Sequence, residues 1–440
     1  MADGEAMRAD AHGRLDAPVR QVAAVVAGNA LEFYDFLTYA FFASQIGRTF
    51  FPSSDPSTSL LASLATFGVG FVMRPVGALV LGRFADRRGR KPAMLVSFTL
   101  MGLGMTGLAL TPGYAQLGVT APVLAVLWRM IQGFALGGEV GPNTSFLAEA
   151  APPGRRGLFV SLQVASQRAA ALAAGLIGIG LSSRMDAATL DRWGWRIAFL
   201  IGALIIPFGL ILRSRLAETL SAASAAETAA PGRLRPGALA ALAVLVMAGG
   251  TVASYVIDYL TTYATVTLHM GRSVGFAAPV ASGLSGIVFA PLGGWLSDRV
   301  GRRPVMLGAW ALVLAGAMPM FILLDRSRSL VALVALSAGL TAASAAMVGA
   351  FLASLGEALP MRIRSGALGL AYALSVAVFG GTTQFMVAWL TRLTHSPLAP
   401  AWYLIGAVAV SFVAILALPE TAPASASGRP RELSSARIPA

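Results

Sequence analysis

Cysteine is absent from the 440 residues, which excludes disulfides and thiolate metal sites. Histidine is nearly absent as well: His12, His269 and His395 are the only three, and all lie outside the centres of the apolar runs, so a metal enzyme has little to be built from. Charge is thin. Asp, Glu, Lys and Arg make up 12% of the chain, against roughly 25% in a soluble domain. Lys91 is the only lysine, and no G-x-x-x-x-G-K-[ST] loop occurs, which disfavours an ATP-driven pump. No cofactor is expected.

Apolar residues are plentiful, at 56% of the chain with a mean hydropathy of +0.71, so lipid is the expected solvent. A net charge of +13 raises the question of nucleic acid. The basic residues, however, sit in short clusters between apolar stretches too long for a soluble core, and the charge reads as membrane topology instead. A span needs roughly 20 mostly apolar residues. Twelve are read: 20–44, 60–84, 93–112, 119–147, 157–182, 195–213, 237–266, 274–298, 305–324, 329–356, 365–393 and 400–418. The expected fold is an all-α membrane protein, twelve transmembrane helices in two pseudo-symmetric six-helix bundles. The first bundle covers 20–213 and the second 237–418. A tail of 1–19 precedes them, an Ala/Ser-rich linker of 214–236 joins them, and a tail of 419–440 follows. The first span carries Asn29, Glu32 and Asp35, unlike the apolar core of a cleaved signal. Sorting Lys and Arg by alternate loops puts about 22 on the side of the termini and about 8 on the other, so both termini are expected to be cytoplasmic.

The case for two bundles rests on a repeat. G-x-x-x-D-[RK]-x-G-R-[RK] occurs as Gly82, Asp86, Arg87, Gly89, Arg90 and Lys91, then about 212 positions later as Gly294, Asp298, Arg299, Gly301, Arg302 and Arg303. Each copy ends a long apolar run, as expected of a duplicated carrier. A second pair of segments follows the fourth and tenth spans: Glu149, Pro152, Pro153, Arg155, Arg156 and Gly157 resemble Glu357, Pro360, Arg362, Arg364 and Gly366. The arginines of these loops are suited to bond exposed helix carbonyls or the Glu149 and Glu357 region, latching the cytoplasmic side in one state. Positive-inside anchoring alone explains the arginines but not the glycines and aspartates.

On these loop signatures the chain, from about 20 to 420, resembles the major facilitator superfamily. Gly28-Asn29 with Glu32-Phe33-Tyr34-Asp35-Phe36, Met73-Arg74-Pro75-Val76-Gly77, and Arg129 with Gln132-Gly133-Phe134 and Gly137-Gly138-Glu139 resemble its metabolite:proton symporter family. That family includes carriers of citrate, α-ketoglutarate, shikimate and proline or betaine. Ser166-Gln167, Trp193-Gly194-Trp195-Arg196 and Val378-Phe379-Gly380-Gly381 look most like the citrate and tricarballylate carriers. Arg168 and Asp258 depart from that pattern, which has uncharged residues there. The resemblance implies proton-coupled symport by rocker-switch alternating access in a bacterial inner membrane. Its partners are a small organic anion, protons and lipid, with no nucleic acid, and the working unit is a monomer. Antiporters of the superfamily typically show G-P-x-x-G-G on the fifth span, and 175–182 lacks it.

Intramembrane charges usually face a cavity or a partner. On the fourth span Arg129, Gln132, Leu136, Glu139 and Asn143 fall within an arc of about 80°, and that face is expected to line the central cavity. On the first span Asn29, Glu32, Asp35, Phe36 and Tyr39 occupy about 120° and are expected to face it. The seventh span offers Tyr255, Asp258 and Tyr259, and the eleventh Tyr372 and Ser375. Asp35 with Arg129 is the expected coupling pair, matching the acid and arginine of proton-coupled sugar porters which resemble this stretch; a permanent ion pair that only fixes packing is the competing reading. Glu32 and Glu139 are the next proton candidates. For substrate, Arg129 and Arg168 offer guanidinium forks, with Gln163 and Gln167 as neutral donors. A structural pairing of Arg168 with an acid on a neighbouring helix stands beside its substrate role. Asp258 would repel a polycarboxylate and favours a zwitterion such as proline or betaine.

Overall fold

The computed structural model of the chain describes residues 2–88, 90–137, 140–152, 154–214, 236–358 and 372–421. Twelve helical spans follow one another: α1 (Ala2–Phe41), α2 (Pro56–Arg88), α3 (Arg90–Leu110), α4 in two segments (Thr120–Leu136 and Val140–Ala150), α5 (Arg156–Arg184), α6 (Trp195–Ser214), α7 (Pro236–Thr262), α8 (Ala277–Val300), α9 (Arg302–Ser327), α10 (Leu330–Ala358), α11 (Gly381–Thr394, with Tyr372 onward described) and α12 (Ala399–Ala417). No strand occurs among the described residues. Eight of these helices are long and apolar enough to cross a membrane, and Leu95–Leu110 and Thr120–Leu136 are shorter apolar helices. Among the described residues, α6 and α1 fall outside those sets, the latter carrying Asn29, Glu32 and Asp35. Helix α1 also starts earlier than expected, at Ala2 rather than near Arg20, in a segment rich in the good helix formers Ala, Arg and Met. The expected linker at 214–236 and tail at 419–440 fall almost wholly outside the described residues.

The two halves pack alike. In the first, α2 lies on α4, α3 on α6 and α1 on α5; in the second, α8 lies on α10, α9 on α12 and α7 on α11. The halves meet along α5 with α8 and α2 with α11, while α1 touches α7. Large apolar side chains such as Leu204, Leu312, Val331 and Val413 stand exposed on the outside, as hydrocarbon requires, with backbone polar groups satisfied within the helices.

Small residues set the closest approaches. A Cβ on Gly133 of α4 would lie 1.7 Å from the Gly70 carbonyl oxygen of α2, and one on Gly137 would lie 2.0 Å from the Arg74 carbonyl oxygen. With no hydrophobic drive between helices in lipid, such backbone contact supplies the packing energy. It also fixes the α2 and α4 backbones that carry Arg74 and Arg129. At the interface of the halves a Cβ on Gly294 of α8 would meet the Gly157 carbonyl oxygen of α5 at 2.3 Å. Near the middle, a π-helical turn at Val376–Gly380 precedes α11 and brings Gly380 against Tyr255 and Phe71.

Candidate transport site

A cavity of about 60 Å³ lies between the halves, large enough to hold water. Phe33, Phe36, Leu37 and Ala40 of α1, Phe67 of α2, and Gln167 and Arg168 of α5 line it from one side; Thr251, Ser254, Tyr255 and Asp258 of α7 with Tyr372 and Val376 line it from the other. Arg168 Nη1 lies 3.1 Å from Asp258 Oδ1. The two residues that departed from the citrate-carrier pattern thus form one ion pair across the halves. The acid that faces Arg168 on a neighbouring helix is Asp258.

Behind the Phe36 and Phe67 wall sits a second, fully buried pair. Arg129 Nη1 is 3.5 Å from Asp35 Oδ2, both side chains at 0% exposure. The same nitrogen donates to Gln132 Oε1, and the guanidinium stacks on Phe36 at 4.6 Å and Tyr39 at 4.5 Å. Phase on α1 and α4 therefore located the partners, but not their surroundings. The expectation that the polar face of α4 lines the cavity is corrected: Arg129, Gln132 and Asn143 are buried and none lines it, because α1 and α2 put aromatic rings in front of α4. Glu139 lies outside the described residues.

The remaining neutral residues also sort differently from expectation. Gln163 is not a cavity residue: its Oε1 accepts from Thr144 Oγ1 at 2.7 Å, and its carbonyl accepts from Asn29 Nδ2 at 3.1 Å. Asn29 also donates to Ser166 Oγ at 2.7 Å, so it ties α1 to α5. Side-chain direction on a tilted helix decides this, and Gln167 and Arg168 face the cavity instead. Tyr255 and Tyr372 line it; Tyr259, although buried, packs into the core of the second half. Ser375 is buried with its hydroxyl unpartnered, and Glu32 is buried.

The second copy of the loop signature is built as a latch. Asp298 accepts from the backbone N–H of Gly157 at 2.8 Å and of Leu158 at 2.9 Å, an anion seated on the N-terminus of α5. Arg302 bonds Asp298 at 2.7 Å and Glu357 at 2.8 Å. Gly301 turns at φ 121°, where a side chain would be strained. The expected arginine-to-Glu357 bond is present, whereas the sequence reading missed the aspartate's role across the halves. Arg299 stacks on Trp295 at 4.1 Å, and Arg303 donates to the Leu416 carbonyl. Glu420, also missed, accepts from the N–H groups of Arg302 and Arg303 at 2.9 Å each and caps α9. In the first copy, Arg87 and Glu149 are exposed and form no ion pair among the described residues. Arg155 is exposed beside α5, and Gly82 has no described atom within 4 Å of its Cβ position. The side chains of Asp86, Arg90 and Lys91, and all of Gly89 and Arg364, lie outside the described residues.

The opposite face carries a second set of ion pairs. Arg392, at the end of α11, lies 2.9 Å from Asp55 before α2, and Arg272 before α8 lies 3.1 Å from Asp191 before α6. The α1–α2 and α5–α6 connections thus each contribute an acid, and the matching connections of the second half each contribute an arginine. Hydrogen bonds from Ser57 and Thr58 pull the Asp55 carboxyl down to about 2, so it stays ionised at any physiological pH. Contacts therefore bridge the two halves on both faces of the bundle.

Asp298→Ala removes the two charge-assisted bonds across the halves, each of roughly 1.5–3 kcal/mol, together with the ion pair to Arg302. The latch face is then expected to open at least about tenfold more often. A Ser161→Cys reporter on α5, with no native cysteine to interfere, would be alkylated correspondingly faster; an unchanged rate means that these bonds do not hold the face closed.

Residues 21–221 and 237–428 match the sugar (and other) transporter family. The chain belongs to this family of the major facilitator superfamily. It is a multi-pass membrane transporter rather than an enzyme. The family match breaks between the halves, at the expected linker. The chain is 35% identical to the citrate-proton symporter of Salmonella typhi, covering 87% of this chain and 89% of that one. It is 34% identical to the alpha-ketoglutarate permease of Escherichia coli (strain K12), at 91% and 94% coverage, and 32% identical to that organism's proline/betaine transporter, at 92% and 84%. In three dimensions it superimposes on a D-xylose-proton symporter with a TM-score of 0.74 at 18% identity, covering 92% and 99%, which establishes the twelve-helix fold. The resemblance read from the loop and helix signatures is borne out by these relatives.

Proposed function

We propose that this transporter is a proton-coupled symporter that takes up a small organic acid, a di- or tricarboxylate such as citrate, by rocker-switch alternating access. The observation that carries the reading is the Asp35–Arg129 pair, sealed at 0% exposure one aromatic layer from the cavity between the halves. An acid that must exchange a proton between two compartments needs a cation to hold it ionised in one state and a seal against leakage. Asp35 has both, and its second oxygen, Oδ1, is without a partner. The relatives that carry citrate and α-ketoglutarate in their names support the substrate class. A bacterial inner membrane suits those relatives, and the loop charge bias supports cytoplasmic termini. One chain encloses the cavity by itself, which supports a monomer as the working unit.

A second reading has its own observation. Arg168 and Asp258 present a cation and an anion together on the cavity wall, complementary to the two ends of a zwitterion such as proline or betaine. Uptake into proteoliposomes under an imposed inward proton gradient separates the two. Labelled citrate, α-ketoglutarate, shikimate, proline and betaine are offered with and without a protonophore. Protonophore-sensitive citrate or α-ketoglutarate uptake is the expected result. Uptake of proline or betaine alone would replace it with the zwitterion reading, and uptake of none would reopen efflux by antiport.

A further inference from the structure

One buried cation has no role in the pairs described so far. Arg74 of α2 is 2% exposed, and no carboxylate pairs with it among the described residues. None of its three guanidinium nitrogens has a hydrogen-bond partner. Asp35 is within electrostatic reach of Arg74 but forms no ion pair with it, and a buried cation without a hydrogen-bonded partner is costly. The Phe36 ring at 4.2 Å and the Phe71 ring at 4.3 Å both cover one side of the guanidinium, the two rings standing 4.6 Å apart. Neither ring offers a hydrogen-bond acceptor in the guanidinium plane, so the N–H edge keeps its capacity to grip a carboxylate with two parallel bonds.

What surrounds that edge belongs to both halves. Tyr255 of α7 and Tyr372 before α11 are within electrostatic reach of Arg74. Their hydroxyls approach it without completing a bond of normal geometry. Phe36, Tyr255 and Tyr372 also line the central cavity. Phe71 and Tyr255 pack edge to face at 5.3 Å. Arg74 therefore stands directly behind the cavity wall, and a modest parting of the halves at Phe36 and Tyr255 exposes it. The backbone beneath it is held by the Gly137 contact, so the fork has a fixed base. By contrast, Arg129 and Arg168 already have Asp35 and Asp258.

From this arrangement we propose that Arg74, with the hydroxyls of Tyr255 and Tyr372, is the subsite that receives a carboxylate group of the transported molecule. The inference rests on the carboxylate-symport reading and deepens it. It moves the anion-binding role from Arg129 to Arg74 and leaves Arg129 to hold Asp35. A carboxylate seated there would be gripped by an arginine of the first half and two phenols of the second. Binding would draw the halves together around the substrate, which couples occupancy to closure.

The test uses the purified full chain and measures citrate and α-ketoglutarate affinity beside proton-driven uptake. For Arg74→Gln the expected result is an affinity loss of about thirtyfold or more, the scale of a lost charge-assisted fork. Arg74→Lys should recover part of it, as a point charge without the fork. The double variant Tyr255→Phe, Tyr372→Phe, which keeps all charges, should lose about tenfold and serves as the test if Arg74→Gln does not fold. Unchanged affinity in a folded Arg74→Gln protein, or in the double phenylalanine variant, overturns the proposal while leaving symport intact. Wild-type protein that binds neither carboxylate overturns the carboxylate-symport reading itself, and the subsite with it.

Discussion

Asp35→Asn is expected to end accumulation while exchange continues. With one coupled proton, a gradient of one pH unit supports about tenfold accumulation at equilibrium. Without a titratable acid the internal concentration should only equal the external one. Counterflow, which exchanges labelled for unlabelled substrate and needs no net proton movement, should remain within a few-fold of wild type. The substitution keeps the shape of the side chain, and Gln132 remains bonded to Arg129. Leaving Arg129 without its anion nevertheless carries a stability cost, about 3–5 kcal/mol for a broken buried pair. Folded yield must therefore be measured alongside. Full gradient-driven accumulation in the Asn variant would falsify the coupling role and leave the pair as a packing element.

Gly133→Leu is expected to abolish the folded protein, and Gly133→Ala to destabilise it clearly. The Cβ position lies 1.7 Å from one backbone oxygen and 2.6 Å from its carbon, so α2 and α4 must separate before any side chain fits. Two more contacts of the same kind, Gly137 on Arg74 and Gly77 on Phe134, open together with it. Overpacking in a rigid site costs about 1–3 kcal/mol or more for a small increment, so the alanine variant should lose at least about 5 °C in Tm. Gly316→Ala is the control, since nothing lies within 4 Å of its Cβ position. Thermal unfolding of the three purified proteins would show the order; a Gly133→Ala protein as stable as the control would mean that the α2–α4 distance adjusts freely. The same separation would displace Arg74 and Arg129 from their shared ring, Phe36.

The duplicated loop signature and twelve apolar runs made the fold readable, because both reflect requirements that act along the chain. Hydrocarbon demands about 20 apolar residues per helix, and a gene duplication leaves the same glycines and charges at matching places. Helical phase was nearly as informative for Asp35 and Arg129, since two polar stripes in lipid have few places to go except toward each other. It failed for Gln163 and for the α4 face. Periodicity gives an angle on one helix, but which rings from α1 and α2 stand in front of that helix depends on how three helices are tilted and spaced.

The same limit explains the residues that sequence reading passed over. Arg74 was visible only as a charge in the second span, within Met73-Arg74-Pro75, and nothing local says that it lacks an acid. Asp55, Asp191 and Glu420 sit in connections or beside a tail, where a carboxylate is ordinary. Their partners Arg392, Arg272 and the amides of Arg302 and Arg303 lie more than 80 positions away in each case. The sequence by itself determined the membrane class, the twofold plan and the identity of one buried pair, all of which follow from composition, spacing and phase. Only the tertiary structure decided that Arg168 meets Asp258, that Asp298 seats on α5 and that Arg74 is left over. Pairing is a property of distances between helices, and in a low-dielectric interior those distances decide which charge is already satisfied and which awaits a ligand.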